Sequence, residues 1–78
     1  MSRTFTVRGI KVRSSSQRRF VMIQHFRKTT PPGEEQRWGA EIVKRSDSVA
    51  TLRSFAQRQG FWAGRTFHIF DSTTGEEV

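Results

Sequence analysis

The chain has 78 residues, of which 14 are Lys or Arg and 7 are Asp or Glu, so its formal charge is +7 at pH 7. This length predicts one domain, and no apolar run approaches the roughly 18–20 residues of a membrane-spanning helix. Cysteine is absent, which excludes disulfides and thiolate metal sites. The first ten residues lack the apolar stretch of a secretory signal, so we expect a cytoplasmic protein.

The first apolar pattern covers residues 4–13 and changes phase at Gly9. Apolar and polar side chains alternate on each side of this glycine, but with a slip of one residue between the two halves. A β-bulge at Gly9–Ile10 would absorb the slip and keep the apolar side chains on one face. We therefore expect one bulged strand with basic residues on its outer face: Arg8, Lys11 and Arg13.

The second apolar segment, Phe20–Phe26, has apolar side chains in both alternating phases. This pattern indicates a central strand that is covered on both faces. The loop from Lys28 to Gln36 contains both prolines of the chain and cannot lie inside a sheet. Alternation resumes at Trp38 and predicts a third strand that continues to Val43.

A helix is predicted after Ser46-Asp47-Ser48, because these side chains can accept hydrogen bonds from the N–H groups of a first helical turn. Apolar residues follow at helical spacing, and Gly60 is the expected C-terminal stop. A fourth strand is predicted over Thr66–Phe70. The acidic end of the chain, residues 71–77, is interpreted as a solvated tail, as a cover for the basic face or as a short fifth strand.

These elements predict a single small α+β domain over residues 1–78. Its order is β-β-β-α-β with the short fifth strand left open, and one helix packs on one face of an antiparallel sheet. A domain of this size buries only about 60–65 % of its unfolded surface. Its stability therefore depends on large aromatic side chains, of which the chain has seven Phe and two Trp.

Basic residues are concentrated in the first part of the chain. Residues 1–33 contain eight basic side chains and no acid, whereas residues 34–78 carry a net charge of −1. Eleven of the fourteen basic residues are Arg, whose planar guanidinium suits phosphate. Because strand pairs can follow a phosphate backbone, we predict DNA or RNA binding through the face of the first two strands. The predicted contact residues are Arg8, Lys11, Arg13, Arg18, Arg19, Arg27 and Lys28.

Catalytic motifs are not recognisable, so we expect neither an enzyme nor a cofactor. The glutamate pairs 34–35 and 76–77 fall on segments expected to be exposed, where acid–base catalysis has no support. His25 and His68 are far apart in the sequence and are interpreted as strand residues rather than as metal ligands. No metal site is therefore predicted.

The two tryptophans leave alternatives open. Trp38 and Trp62 can close the core, or they can serve as aromatic anchors for a base or a protein. The same arginine excess also fits a protein-interaction module, such as a small inhibitor or accessory subunit that docks on an acidic protein surface or on a sheet edge. A monomer and a homodimer through an edge strand are both compatible with the pattern, and no membrane contact is expected.

Overall fold

The computed structural model describes residues 3–14, 18–60 and 65–78. Within these ranges the chain forms, in order, β1 (Arg3–Val7), β2 (Ile10–Ser14), β3 (Phe20–Arg27), β4 (Trp38–Ser46), α1 (Val49–Gln59) and β5 (Arg65–Asp71). β1 and β2 pair with each other, and the other three strands form an antiparallel sheet in the order β4-β3-β5. The predicted α+β class with an antiparallel sheet and a helix is confirmed.

The expected single strand over residues 4–13 is wrong, because the chain reverses at Arg8 and Gly9. Val7 pairs with Ile10, which leaves only these two residues in the turn. Their φ angles are 50° and 84°. Positive φ at both central positions is what a tight hairpin of twisted strands requires. The phase slip therefore marks a turn rather than a bulge, and it adds a strand to the predicted order.

The β1–β2 hairpin packs on one face of the three-stranded sheet. Phe5 and Val7 are buried in one cluster with Val21 and Ile23 of β3 and Phe70 of β5. The rings of Phe5 and Phe70 are 5.4 Å apart between centroids. This cluster attaches the hairpin to both the central and an edge strand, so the molecule has a separate layer on this side.

Helix α1 covers the opposite face of the same sheet. Leu52 and Ala56 are buried against Met22 of β3 in a second cluster. Because Met22 lies between Val21 and Ile23, its side chain points away from the hairpin. β3 is thus covered on both faces, as its two apolar phases predicted.

The helix begins and ends where the sequence predicted. Ser48 is the N-cap, and its hydroxyl accepts a hydrogen bond from the Thr51 backbone N–H at 3.3 Å. Gly60 is the C-cap with φ 75°, and its N–H donates to the Gln57 carbonyl at 3.2 Å. Over the described ranges, no helix has the length and apolar character that crossing a membrane requires.

The acidic end of the chain returns along the edge of β5. Phe70 forms an antiparallel bridge with Glu77, and the Val78 N–H donates to the Ile69 carbonyl at 2.8 Å. Gly75, with φ 79°, lies in the turn that makes this return. Of the three interpretations of the tail, the paired segment is observed as a single bridge, and Asp71 at the start of the acidic segment also lies 3.8 Å from Arg19.

Candidate nucleic-acid interface

The predicted basic residues lie in three places: at the two ends of the three-stranded sheet and on the outer face of the hairpin. Arg18 and Arg19 precede the first residue of β3, whereas Arg27 ends that strand and Lys28 follows it. Arg8, in the hairpin turn, lies near His25 and hence at the same end as Arg27.

At the first end, acidic residues lie against the arginines. Arg18 Nη1 is 3.0 Å from Asp47 Oδ2, and the Arg19 backbone N–H donates to Asp47 Oδ1 at 2.9 Å. The hydrogen bonds from Arg19 and then from Arg18 lower the pKa of Asp47. Arg19 Nε also lies 3.8 Å from Asp71 Oδ2. These two arginines join the start of β3 to the helix start and to β5, so part of their charge is neutralised locally.

At the second end, Arg27 and Trp38 face each other across the β3–β4 ladder. With the Gln36 amide oriented so that its oxygen faces Arg27, that oxygen accepts from Nε at 2.8 Å and from Nη1 at 3.1 Å. A neutral amide therefore holds the Arg27 guanidinium, and among the described residues no carboxylate forms an ion pair with it.

Lys28 lies across a glycine at this same end. Its N–H donates to the Arg37 carbonyl at 2.9 Å. A Cβ atom on Gly39 would lie 2.8 Å from Lys28 Cε and 2.8 Å from Phe26 Cζ. Because Gly39 has no side chain, the Lys28 stem and the Phe26 ring lie close to the backbone of β4. The Lys28 stem therefore lies along the end of the sheet.

The outer face of the hairpin carries two further predicted residues. Lys11 pairs with Thr6, and Arg13 pairs with Thr4. All four residues are exposed and alternate with the buried side chains of the hairpin. The predicted outward direction of Lys11 and Arg13 is therefore confirmed, although they belong to β2 alone.

Several cations of the second end and of the adjoining hairpin have no acidic partner among the described residues. Among the residues that the structure describes, no carboxylate forms an ion pair with any of five basic side chains. These five, called here the basic end, are Arg8, Lys11, Arg27, Lys28 and Arg37. Their uncompensated charge is available to an anionic partner.

An open cleft of about 440 Å³ lies between the hairpin turn and the sheet, and it is lined by Arg8, Ile10, His25 and Trp38. The rings of His25 and Trp38 are stacked, with 4.8 Å between centroids and 1° between planes. His25 is 6 % exposed, whereas Trp38 is 43 % exposed. Trp38 is thus an exposed aromatic side chain supported by a buried one.

The buried histidine in this cleft favours its neutral form. Burial lowers the pKa of His25, and electrostatic interactions with Arg8 and then with His68 lower it further. At neutral pH the ring beneath Trp38 is therefore uncharged. Arg8 then supplies the positive charge of the cleft.

The second histidine, His68, connects β5 to the tail. Its Nε2 is 3.0 Å from Thr66 Oγ1, and its Nδ1 is 3.3 Å from Glu77 Oε2. Both histidines are strand residues, as predicted. In the part of the chain with described coordinates, no three His, Asp or Glu side chains cluster in a way that could hold a metal ion.

The sequence did not indicate two features of this site. Arg37 was not among the predicted contact residues, and the stacking of His25 on Trp38 depends on the β3–β4 register across the proline-containing loop. The sequence signal for the stack was the predicted antiparallel sheet that contains both strands, but it did not give their register. The other predicted anchor, Trp62, lies outside the described residues.

Comparison of the chain with protein-family models, with curated proteins and with solved structures finds no match in any of the three. Function is therefore inferred from the geometry and charge of the described residues.

Proposed function

We propose that this protein is a small non-enzymatic module that binds nucleic acid through contacts from the basic end to the phosphate backbone. The observation that carries the proposal is the collection of five cations without described acidic partners beside an exposed Trp38. Exposed arginine and lysine side chains neutralise phosphates and release counterions, which is the main source of sequence-independent affinity. Arg13 extends this surface along the hairpin.

The backbone of Arg8 supports a binding role for its side chain. Its φ of 50° lies in the left-handed region, which costs most residues other than Gly, Asn and Asp roughly 1–2 kcal/mol. Asn-Gly is the favoured pair for such a turn, yet the chain has Arg-Gly. A guanidinium that reaches a ligand from the hairpin tip accounts for the choice of Arg at a strained position.

The proposal predicts a steep dependence of affinity on salt. If all five side chains of the basic end met phosphates, the logarithm of the binding constant would fall against the logarithm of salt with a slope of about −3.5 on single strands and about −4.5 on duplex. Removing one contact then flattens this slope by about 0.7–0.9. A salt titration thus counts contacts as well as detecting them.

A charge-matched pair of variants tests the proposed surface. Arg8→Gln/Lys11→Gln removes two positive charges from the basic end, and Arg53→Gln/Arg58→Gln removes two from the exposed side of α1, across the sheet. With mixed-sequence DNA and RNA, the first variant should bind more weakly and with a flatter salt slope. The second should keep the parent slope. Equal losses in the two variants would mean that net charge, not this surface, governs binding.

The alternative function is a protein-interaction module that docks on an acidic protein surface. Pull-down with the parent chain after nuclease treatment separates the two proposals, because a nucleic-acid bridge is destroyed and a protein contact is not. If the parent chain binds no DNA or RNA but retains an acidic protein after nuclease treatment, the protein-interaction alternative replaces the proposed function.

A further inference from the structure

We infer that the basic end binds single-stranded nucleic acid, with an unpaired base stacked on Trp38 and a neighbouring phosphate at Arg8. This inference rests on the proposed nucleic-acid binding and specifies the form of the ligand. It differs from a hairpin lying in a duplex groove, where Trp38 would have no base to stack on.

The Trp38 ring is supported on one side and exposed on the other. One side of its ring is fixed by the parallel imidazole of His25 at 4.8 Å, and 43 % of the residue is exposed. An aromatic ring held in place from below needs little ordering when a further ring stacks on it. Every base has a π-face that can stack in this way, which makes the contact tolerant of sequence.

The support beneath Trp38 is the buried ring of His25. His25 lies in the central strand, paired with Ala40 on one side and Thr66 on the other. Strand pairing on both sides fixes the backbone of His25, and burial restricts the position of its ring. The lowered pKa of His25 keeps this ring neutral, so the support adds no second charge beneath the indole. The platform is therefore preorganised by the fold rather than assembled by the ligand.

Two arginines, Arg8 and Arg27, lie near the Trp38 ring. Arg8 lines the same cleft as Trp38, and Arg27 is the cross-strand partner of Trp38. Cross-strand partners have Cβ atoms roughly 4.5–5.5 Å apart, so the stem of Arg27 begins beside the indole. A base on Trp38 would thus have the guanidinium groups of Arg8 and Arg27 nearby for its phosphates.

The size of the cleft and the energetic cost of unpairing a base both favour a single strand as the ligand. The volume of about 440 Å³ falls in the range of small-molecule sites, roughly 300–1,000 Å³, and accommodates one base. Bases in a duplex are stacked on each other and paired, so reaching Trp38 would require one to leave the helix at the cost of a few kcal/mol. A single strand offers the base without this cost.

The test compares three ligands of about ten nucleotides, within the site sizes of single-strand binders: a thymidine oligomer, a duplex of equal length and a fully abasic oligomer. The abasic strand keeps the phosphates and removes the bases. We expect the thymidine oligomer to bind about tenfold more tightly than the abasic strand. In a Trp62→Phe background Trp38 is the single tryptophan, and its fluorescence should be quenched by the thymidine oligomer alone.

Substitutions of Trp38 separate stacking from packing. Trp38→Ala should reduce affinity for the thymidine oligomer about tenfold and leave affinity for the abasic strand unchanged. Trp38→Phe should restore part of the loss, because it keeps a ring on His25. Circular dichroism and the unfolding midpoint verify that each variant is folded. If a Trp38 or Trp62 variant does not fold, the three-ligand comparison on the parent chain decides.

The outcomes distinguish the inference from the proposal beneath it. Equal binding of the thymidine and abasic strands, or preference for duplex, overturns base stacking on Trp38 and leaves phosphate binding intact. Absence of binding to all three ligands at low salt overturns the proposed function itself. Preference for the thymidine oligomer with loss in Trp38→Ala supports both.

Discussion

The imidazole of His25 lies parallel to the indole of Trp38, with 1° between the two planes. One ring is buried and the other is exposed, so the pair connects the interior of the sheet to its surface. Any change that charges or moves His25 acts directly on the most prominent exposed aromatic side chain among the described residues. The stability of the fold and the properties of the cleft are linked at this point.

The first prediction is a loss of stability at mildly acidic pH. Because the pKa of His25 is lowered in the folded protein, the unfolded chain takes up the proton first as pH falls below about 6.5. The free energy of unfolding then decreases with falling pH until the lowered pKa is passed. Urea unfolding at about pH 7.5 and about pH 5.5 measures this decrease.

His25→Phe provides the comparison for this pH effect. The variant keeps a ring beneath Trp38 and leaves the neighbouring Arg8 and His68, and also Glu77, unchanged. It should lose less stability than the parent between the two pH values. An identical decrease in both proteins would contradict the assignment of the effect to His25.

The second prediction concerns the hairpin turn. Arg8→Asn places the favoured Asn-Gly pair at positions with φ 50° and 84°. The free energy of unfolding should rise, by up to roughly 1 kcal/mol, because the left-handed conformation is less costly for Asn. Affinity for nucleic acid should fall in the same variant. Urea unfolding and a binding titration on one preparation measure both quantities, and a more stable variant with parent affinity would contradict the role given to Arg8.

The third prediction concerns the helix start. Ser48→Ala removes the acceptor of the Thr51 N–H and should lower the free energy of unfolding by about 1 kcal/mol. Ser54→Ala, an exposed change within the same helix, is the matched control and should leave stability nearly unchanged or slightly raised. Urea unfolding of both variants makes the comparison. A similar response to the two changes would mean that the cap hydrogen bond contributes nothing.

The fourth prediction concerns the first end of the sheet. Asp47→Asn keeps an oxygen for the Arg19 N–H but removes the ion pair with Arg18, so the thermal midpoint should fall slightly. Because the pKa of Asp47 is lowered, its contribution is present above about pH 4 and is lost as pH falls through the lowered value. Thermal unfolding of parent and variant should therefore differ at neutral pH and converge in acid. Constant separation across this range would contradict the assignment.

The sequence predicted the elements that local patterns specify. The two apolar phases of β3 implied cover on both faces, and Ser48 and Gly60 marked the helix ends. The turn at Arg8 was missed because Arg is a poor residue for positive φ, so a bulge fitted the same alternation equally well. Local pattern cannot separate these two solutions when the expected turn residue is absent.

The candidate site was only partly predictable for a different reason. Outward-facing Lys11 follows from strand alternation alone. The pairing of Arg18 with Asp47 joins residues 29 positions apart, and the stack of His25 on Trp38 requires the register of two strands. Charge counting located the basic segment, but it could not determine which arginines acquire acidic neighbours once the chain is folded.

Amide chemical shifts test the central claim most directly. A short single-stranded oligonucleotide is titrated into the labelled protein at low and at physiological salt. The account predicts shift changes concentrated at Gly9, Lys28 and Trp38, with a marked decrease in affinity at the higher salt. Changes concentrated instead at Arg18, Arg19 and the helix, or no changes at low salt, would contradict it.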